Sequence, residues 1–153
     1  MSKKNKLNLT DGFPTSVQVQ FHEVDAMKIV HHSHYIYWME IARFQFAKAM
    51  MGLSFTDFEK MGVFLPVTKL ESNYLQSATL DQEIVIFLKL LERDVAIATF
   101  HYDMRDKNSG QKLFEGMTEH AFVDRLDKLL LHYPEKWNEA LQLIKQTNPS
   151  YIL

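Results

Sequence analysis

Between Phe21 and Arg43 the chain reads FHEVDAMKIVHHSHYIYWMEIAR: one acid, Asp25, and three histidines, His31, His32 and His34, ahead of an almost unbroken apolar run. Several chemistries are open to such a stretch. A carboxylate on a loop that leads into a helix can attack a substrate or activate water. The unpaired N–H groups and positive dipole end of that helix can stabilise an oxyanion. The imidazoles offer metal ligands, but only His31 and His34 share a helix face, and a metal site needs further ligands and a second shell. HHSH alone is a weak ligand pattern, and the reading is no metal. The bland alternative is that Asp25 bonds its own loop as an Asx turn and the histidines line the rim of a helix end. Glu40 and Arg43, three residues apart, either pair on the helix or supply a second carboxylate.

The elements that would position these residues emerge from periodicity. Val17, Val19 and Phe21 alternate with Gln18, Gln20 and His22, as a half-buried strand requires. Residues 23–33 have no sustained period and read as a loop, with Ser33 as the N-cap of the next helix. Tyr35 to Met51 lacks Gly and Pro, and its polar residues, Glu40, Arg43, Gln45 and Lys48, gather on no single face. Such a helix is enclosed over most of its circumference. Gly52 ends it, and a short helix is expected over 54–61. Strands are expected at 63–75 (bending at Pro66), 83–91, 95–106 and 111–123, with tight turns at ERD and KNSG. Gly116 suggests a bulge. A closing helix spans 134–145, with Pro134 in its first turn. Strand, enclosed helix, four strands and helix make an α+β architecture: a curved antiparallel sheet of about five strands around one long helix, with a C-terminal helix added. Residues 1–14 read as a flexible arm and 15–153 as a single domain. Covering the sheet edges calls for a homodimer.

Composition narrows the function classes. The chain has 153 residues and a net charge of −2, so no basic field argues for nucleic acid. It has no cysteine, which removes disulfides, thiolate catalysis and Cys-type zinc sites and suits a reducing, cytoplasmic setting. No apolar segment succeeds the basic MSKKNK start, and no stretch is long enough for a membrane span. Neither a Walker loop nor a GxGxxG loop is present.

The element order and the opening stretch resemble the hotdog-fold acyl-CoA thioesterases of the 4-hydroxybenzoyl-CoA thioesterase type, close to the bacterial Tol-Pal-associated branch. Phe21, Glu23, Asp25, Ala26, Ile29, Val30, His32, Tyr35, Glu40, Ala42 and Arg43 match the motif, and SNYLQSATLDQEIVI and GMTEHAFVD resemble later strands. Met27 and Lys28 replace two glycines, His31 an aromatic and Ser77 a proline. The resemblance implies hydrolysis of an acyl-CoA to a free acid and CoA without a cofactor. Asp25 would be nucleophile or general base, and the backbone N–H at His32 would polarise the carbonyl. It places Ile29, Val30, His31, Tyr35 and Thr68 at the substrate, and it assigns Arg93 and Arg125 to the CoA phosphates. Glu40 is the alternative catalytic acid. Acyl carrier protein is the alternative thiol carrier, a non-catalytic acyl-CoA or protein-binding module is the competing class, and the homodimer is expected to pair into a tetramer.

Overall fold

The computed structural model of the chain describes residues 11–153. Five strands form one antiparallel sheet: β1 (Phe13–Gln18), β2 (Val67–Tyr74), β3 (Glu83–Leu91), β4 (Ile97–Asp106) and β5 (Lys112–Ala121), in the order β1-β3-β4-β5-β2. Helix α1 (His32–Phe46) lies on one face and continues into a π-helical turn, Ala47–Met51, closed by left-handed Gly52. Helix α2 (Phe55–Met61) comes next, its N-terminus closed by a capping box between Ser54 and Asp57. Helix α3 (Glu135–Thr147) completes the domain.

The core is the seam between α1 and the sheet. Tyr35, Trp38, Met39, Ala42 and Phe46 are buried, at spacings of three and four that define one helix face. They meet the alternating inner positions of β3, where Ile84, Ile86, Leu88 and Leu90 are at most 2% exposed. The other side of α1 is a different matter. Ile36, Tyr37, Ile41 and Phe44 are exposed, so within one chain the sheet covers only one side of the helix that the sequence marks as enclosed.

Gly116 departs from its sequence reading. It pairs in register with Ser72 and with Tyr102, and the irregularities fall elsewhere, between Val67 and Lys69 and between Met104 and Arg105. The reason for glycine is close approach: a Cβ there would sit 2.6 Å from the Met39 sulfur and 2.7 Å from the Phe114 ring. The strand expected through Phe21 ends at Gln18, and Phe21 stands exposed in a 3-10 turn, Phe21–Glu23. Most of the N-terminal arm expected over 1–14 lies outside the described residues. Its last two, Phe13 and Pro14, belong to β1, where an edge strand tolerates a proline.

Candidate active site

The loop before α1 is more ordered than its lack of period suggests. Val24 and Val30 pair as a small antiparallel bridge around a tight reversal. The Asp25 N–H donates to the Ile29 carbonyl at 2.9 Å, and the Lys28 N–H donates to the Asp25 carbonyl at 2.9 Å. This is the three-residue hairpin loop that normally ends on a left-handed glycine. Here Lys28 takes that position, with φ of 62°. The absence of two glycines therefore does not prevent positive φ. The hairpin bonds hold Lys28 there against a cost of about 1–2 kcal/mol.

The Asp25 carboxylate also serves its own loop. Its Oδ1 accepts from the Met27 N–H at 2.8 Å, so the Asx turn is real, and Oδ2 is left for other work. The hairpin is braced by a residue that spacing alone does not single out. Glu23 is buried; its Oε2 accepts from the Gln20 N–H at 2.7 Å and its Oε1 from the Trp38 indole at 2.9 Å. Two signals point to it in the sequence, an acid three residues after a 3-10 cap and a core indole that must find an acceptor.

Helix α1 starts earlier than expected, and its cap is His31 rather than Ser33. The His31 Nδ1 accepts from the Ser33 N–H at 3.3 Å, so the ring does what a Ser or Asp oxygen usually does. His32 is then the first helical residue, and its N–H is one of the donors that α1 itself cannot satisfy. Tyr74 ties the sheet to this helix end: its hydroxyl donates to the His32 carbonyl at 2.9 Å. The Tyr35 hydroxyl accepts from the Ala78 N–H at 3.1 Å, and burial raises its pKa. Val30 and Ile29 are anchored on the same segment, through the Ala78 carbonyl and a bridge to Thr79.

These parts enclose a cavity of about 280 Å³ that brings together Asp25, Ile29, Val30, His31, His32 and Tyr35, with Tyr74 to Ser77 as the far wall. Among the described residues no three His, Asp or Glu side chains form a metal-binding group. The remaining expected site residues lie elsewhere. Thr68 sits at the β2 irregularity, its hydroxyl on the Glu119 carbonyl. Arg93 pairs with Glu119 at 2.9 Å on β5, and Arg125 donates to the Glu59 carbonyl at the end of α2. Glu40 faces a second cavity, two turns along α1. None of the four reaches the Asp25 cavity because each is fixed to the half of the sheet or helix farthest from the hairpin.

Residues 19–141 match the thioesterase-like superfamily. The chain is 24% identical to the acyl-CoA thioesterase YbgC of Haemophilus influenzae over 137 residues, 90% of this chain and 99% of the relative. Among solved structures it is similar to a DHNA-CoA thioesterase from Staphylococcus aureus, with a TM-score of 0.78, 24% identity and 89% and 92% of the two chains covered. It is also similar to the hypothetical protein TT1821 of Thermus thermophilus, with a TM-score of 0.76, 27% identity and 85% and 98% covered. The chain belongs to the thioesterase-like superfamily and has the hotdog fold. It is a thioester hydrolase.

Proposed function

We propose that this chain hydrolyses acyl-CoA thioesters at the cavity beside the α1 N-terminus, with Asp25 as nucleophile or general base and the His32 N–H as oxyanion donor. The observation that carries the reading is that Asp25 and His32 line one cavity although separate elements hold them. The finer branch, the 4-hydroxybenzoyl-CoA type close to the Tol-Pal-associated enzymes, is favoured by the motif from Phe21 to Arg43.

With the thioester carbonyl on the His32 N–H, negative charge forming on its oxygen meets the positive end of α1. In the nucleophilic route Asp25 Oδ2 attacks the acyl carbon, the C–S bond of the tetrahedral adduct breaks, and the thiolate leaves behind a mixed anhydride; water then opens the anhydride to regenerate Asp25, and its proton ends on the departed sulfur. In the general-base route Asp25 takes a proton from water as the water oxygen attacks, and that proton ends on the departing sulfur. Both routes leave a free acid and CoA. Ile29, Val30, His31 and Tyr35 would then shape the acyl end. Arg93, Arg125 and Thr68 would reach the same substrate only from a second copy of the chain. A homodimer fits the structure, since β2 is an unpaired edge and the outer face of α1 is apolar and exposed; pairing into a tetramer is an extension of it. No helix among the described residues is long and apolar enough to cross a membrane, and a cytoplasmic setting suits a chain without cysteine.

The test is thiol release from aromatic, short-chain and long-chain acyl-CoAs by the parent and by Asp25→Asn. The substitution should lower turnover by roughly 10²–10⁴-fold. Undiminished turnover in a folded Asp25→Asn protein removes Asp25 from the mechanism. Release from acyl carrier protein thioesters alone changes the carrier.

A further inference from the structure

A second cavity, of about 310 Å³, opens between the later turns of α1, helix α2 and the sheet, with Phe58, Phe100 and Trp137 among its mostly apolar walls. Its polar wall is Glu40, Arg43 and His120. Arg43 lies eleven residues beyond His32, about 16 Å along a helix axis, so this cavity is distinct from that of Asp25.

The state of Arg43 is what calls for a ligand. Its guanidinium is permanently charged and carries five N–H donors. Its side chain is only 17% exposed. Among the described residues it gives one donor to the neutral Tyr102 hydroxyl at 3.2 Å. The nearest carboxylate, Glu40, is 4.0 Å away and itself 55% exposed, so the charge is buried further than it is compensated. The guanidinium is nevertheless held in place. A directed chain runs from Arg43 to the Tyr102 hydroxyl, on to Thr118 Oγ1 at 2.8 Å, and on to His120 Nε2 at 3.0 Å, while His120 Nδ1–H donates to the Leu65 carbonyl at 3.0 Å. Both His120 nitrogens are thereby occupied, and Arg43 is left as the group with donors to offer. A pre-positioned cation in an apolar wall, beside a cavity of ligand size, is the arrangement that recognises an apolar ligand with one anionic end.

We propose that this cavity binds a ring-bearing apolar molecule through a carboxylate, or a similar anionic oxygen, paired with Arg43. The exposed Glu40 swings clear as the ligand oxygen takes up the unused guanidinium donors. The source of that chemistry is either a free aromatic acid or the far end of an acyl group still on its thiol carrier.

The experiment is calorimetric titration of the full chain at pH 7 with 4-phenylbutyrate and with its neutral analogue 4-phenylbutanol. The acid should bind at least tenfold more tightly than the alcohol. Arg43→Gln should remove that difference while leaving alcohol binding intact, and Arg43→Lys should retain part of it. Ala47→Phe, which fills the cavity, should abolish binding of both. Asp25→Asn should alter neither affinity, so failure of the catalytic assignment and failure of this pocket are separable. Equal affinities for acid and alcohol, undiminished acid binding in Arg43→Gln or in Ala47→Phe, or no acid binding at millimolar concentration would each overturn the proposal. So would loss of binding in a folded Asp25→Asn protein. Competitive inhibition of thioester hydrolysis by the acid assigns the pocket to the acyl group, and binding without inhibition assigns it to the free acid.

Discussion

The two polar sites along α1 are built in opposite ways. Asp25 is fixed by bonds to Met27, Lys28 and Ile29, all within four residues of it. Arg43 is fixed through Tyr102, 59 residues away, and then through Thr118 and His120. The first site is held by local bonds around an acid at the surface; the second is held by long-range bonds around a cation whose side chain is mostly buried. A carboxylate that must meet water and a charged substrate can be organised by its own loop, because solvent remains available to stabilise it. A cation set in an apolar wall has no such reserve, and only a sheet that fixes each partner can hold it.

The contrast can be broken most sharply at Asp25. Its change to Asn should lower turnover by roughly 10²–10⁴-fold and leave the melting temperature near the parent's, since an amide oxygen can still accept from the Met27 N–H. A large fall in stability with intact specific activity would make Asp25 a loop residue and nothing more.

The next effect in size is at Glu23, the point where the local site leans on the core. Glu23→Ala leaves the Trp38 indole and the Gln20 N–H without their acceptor and should cost about 2–4 kcal/mol in denaturant unfolding. A cost below about 1 kcal/mol would mean that the hairpin does not depend on this brace.

The buried site should announce itself through pH. Burial, with the Arg43 charge adding to it, pushes the His120 pKa down to about 4, against the opposing bond to the Leu65 carbonyl. The unfolded chain binds a proton near pH 6.5 that the folded chain refuses until about pH 4. Stability is therefore fully present above pH 6.5 and declines as pH falls toward 4, by about 3 kcal/mol in all. His120→Asn should flatten that part of the pH–stability curve. An unchanged slope would show that other groups carry it.

The smallest effect belongs to the hairpin. Lys28→Gly relieves the left-handed strain at the expense of a looser unfolded chain, and it should raise stability by about 0.5–1 kcal/mol. A loss on substitution would mean that the lysine side chain holds the turn in some way its φ does not reveal.

Much of this is legible in the chain. A nearly continuous apolar run ending at a tight turn locates β3 to its ends, and the Gly- and Pro-free run locates α1. The motif around Asp25 singles out a carboxylate and a helix end that the fold does bring together. Other residues are misread where the deciding contact is distant. Gly116 looks like a bulge until Met39 is found against it. Ser33 looks like a cap until the His31 ring is seen accepting its N–H. Thr68, Arg93 and Arg125 have the right residue types for a substrate site, but the sheet carries them to other parts of the surface.

The sequence by itself determined the class of fold, because strand alternation and helix length are properties of neighbouring residues; Asp25 and the helix end after it were singled out by the family resemblance of the stretch that holds them. Only the tertiary structure decided that Glu23 is buried under Trp38, that Lys28 accepts a glycine's conformation, and that Arg43 and His120 share a cavity. Each of those depends on desolvation and hydrogen bonding between residues distant along the chain, and burial is a property of the packed sheet rather than of any local pattern.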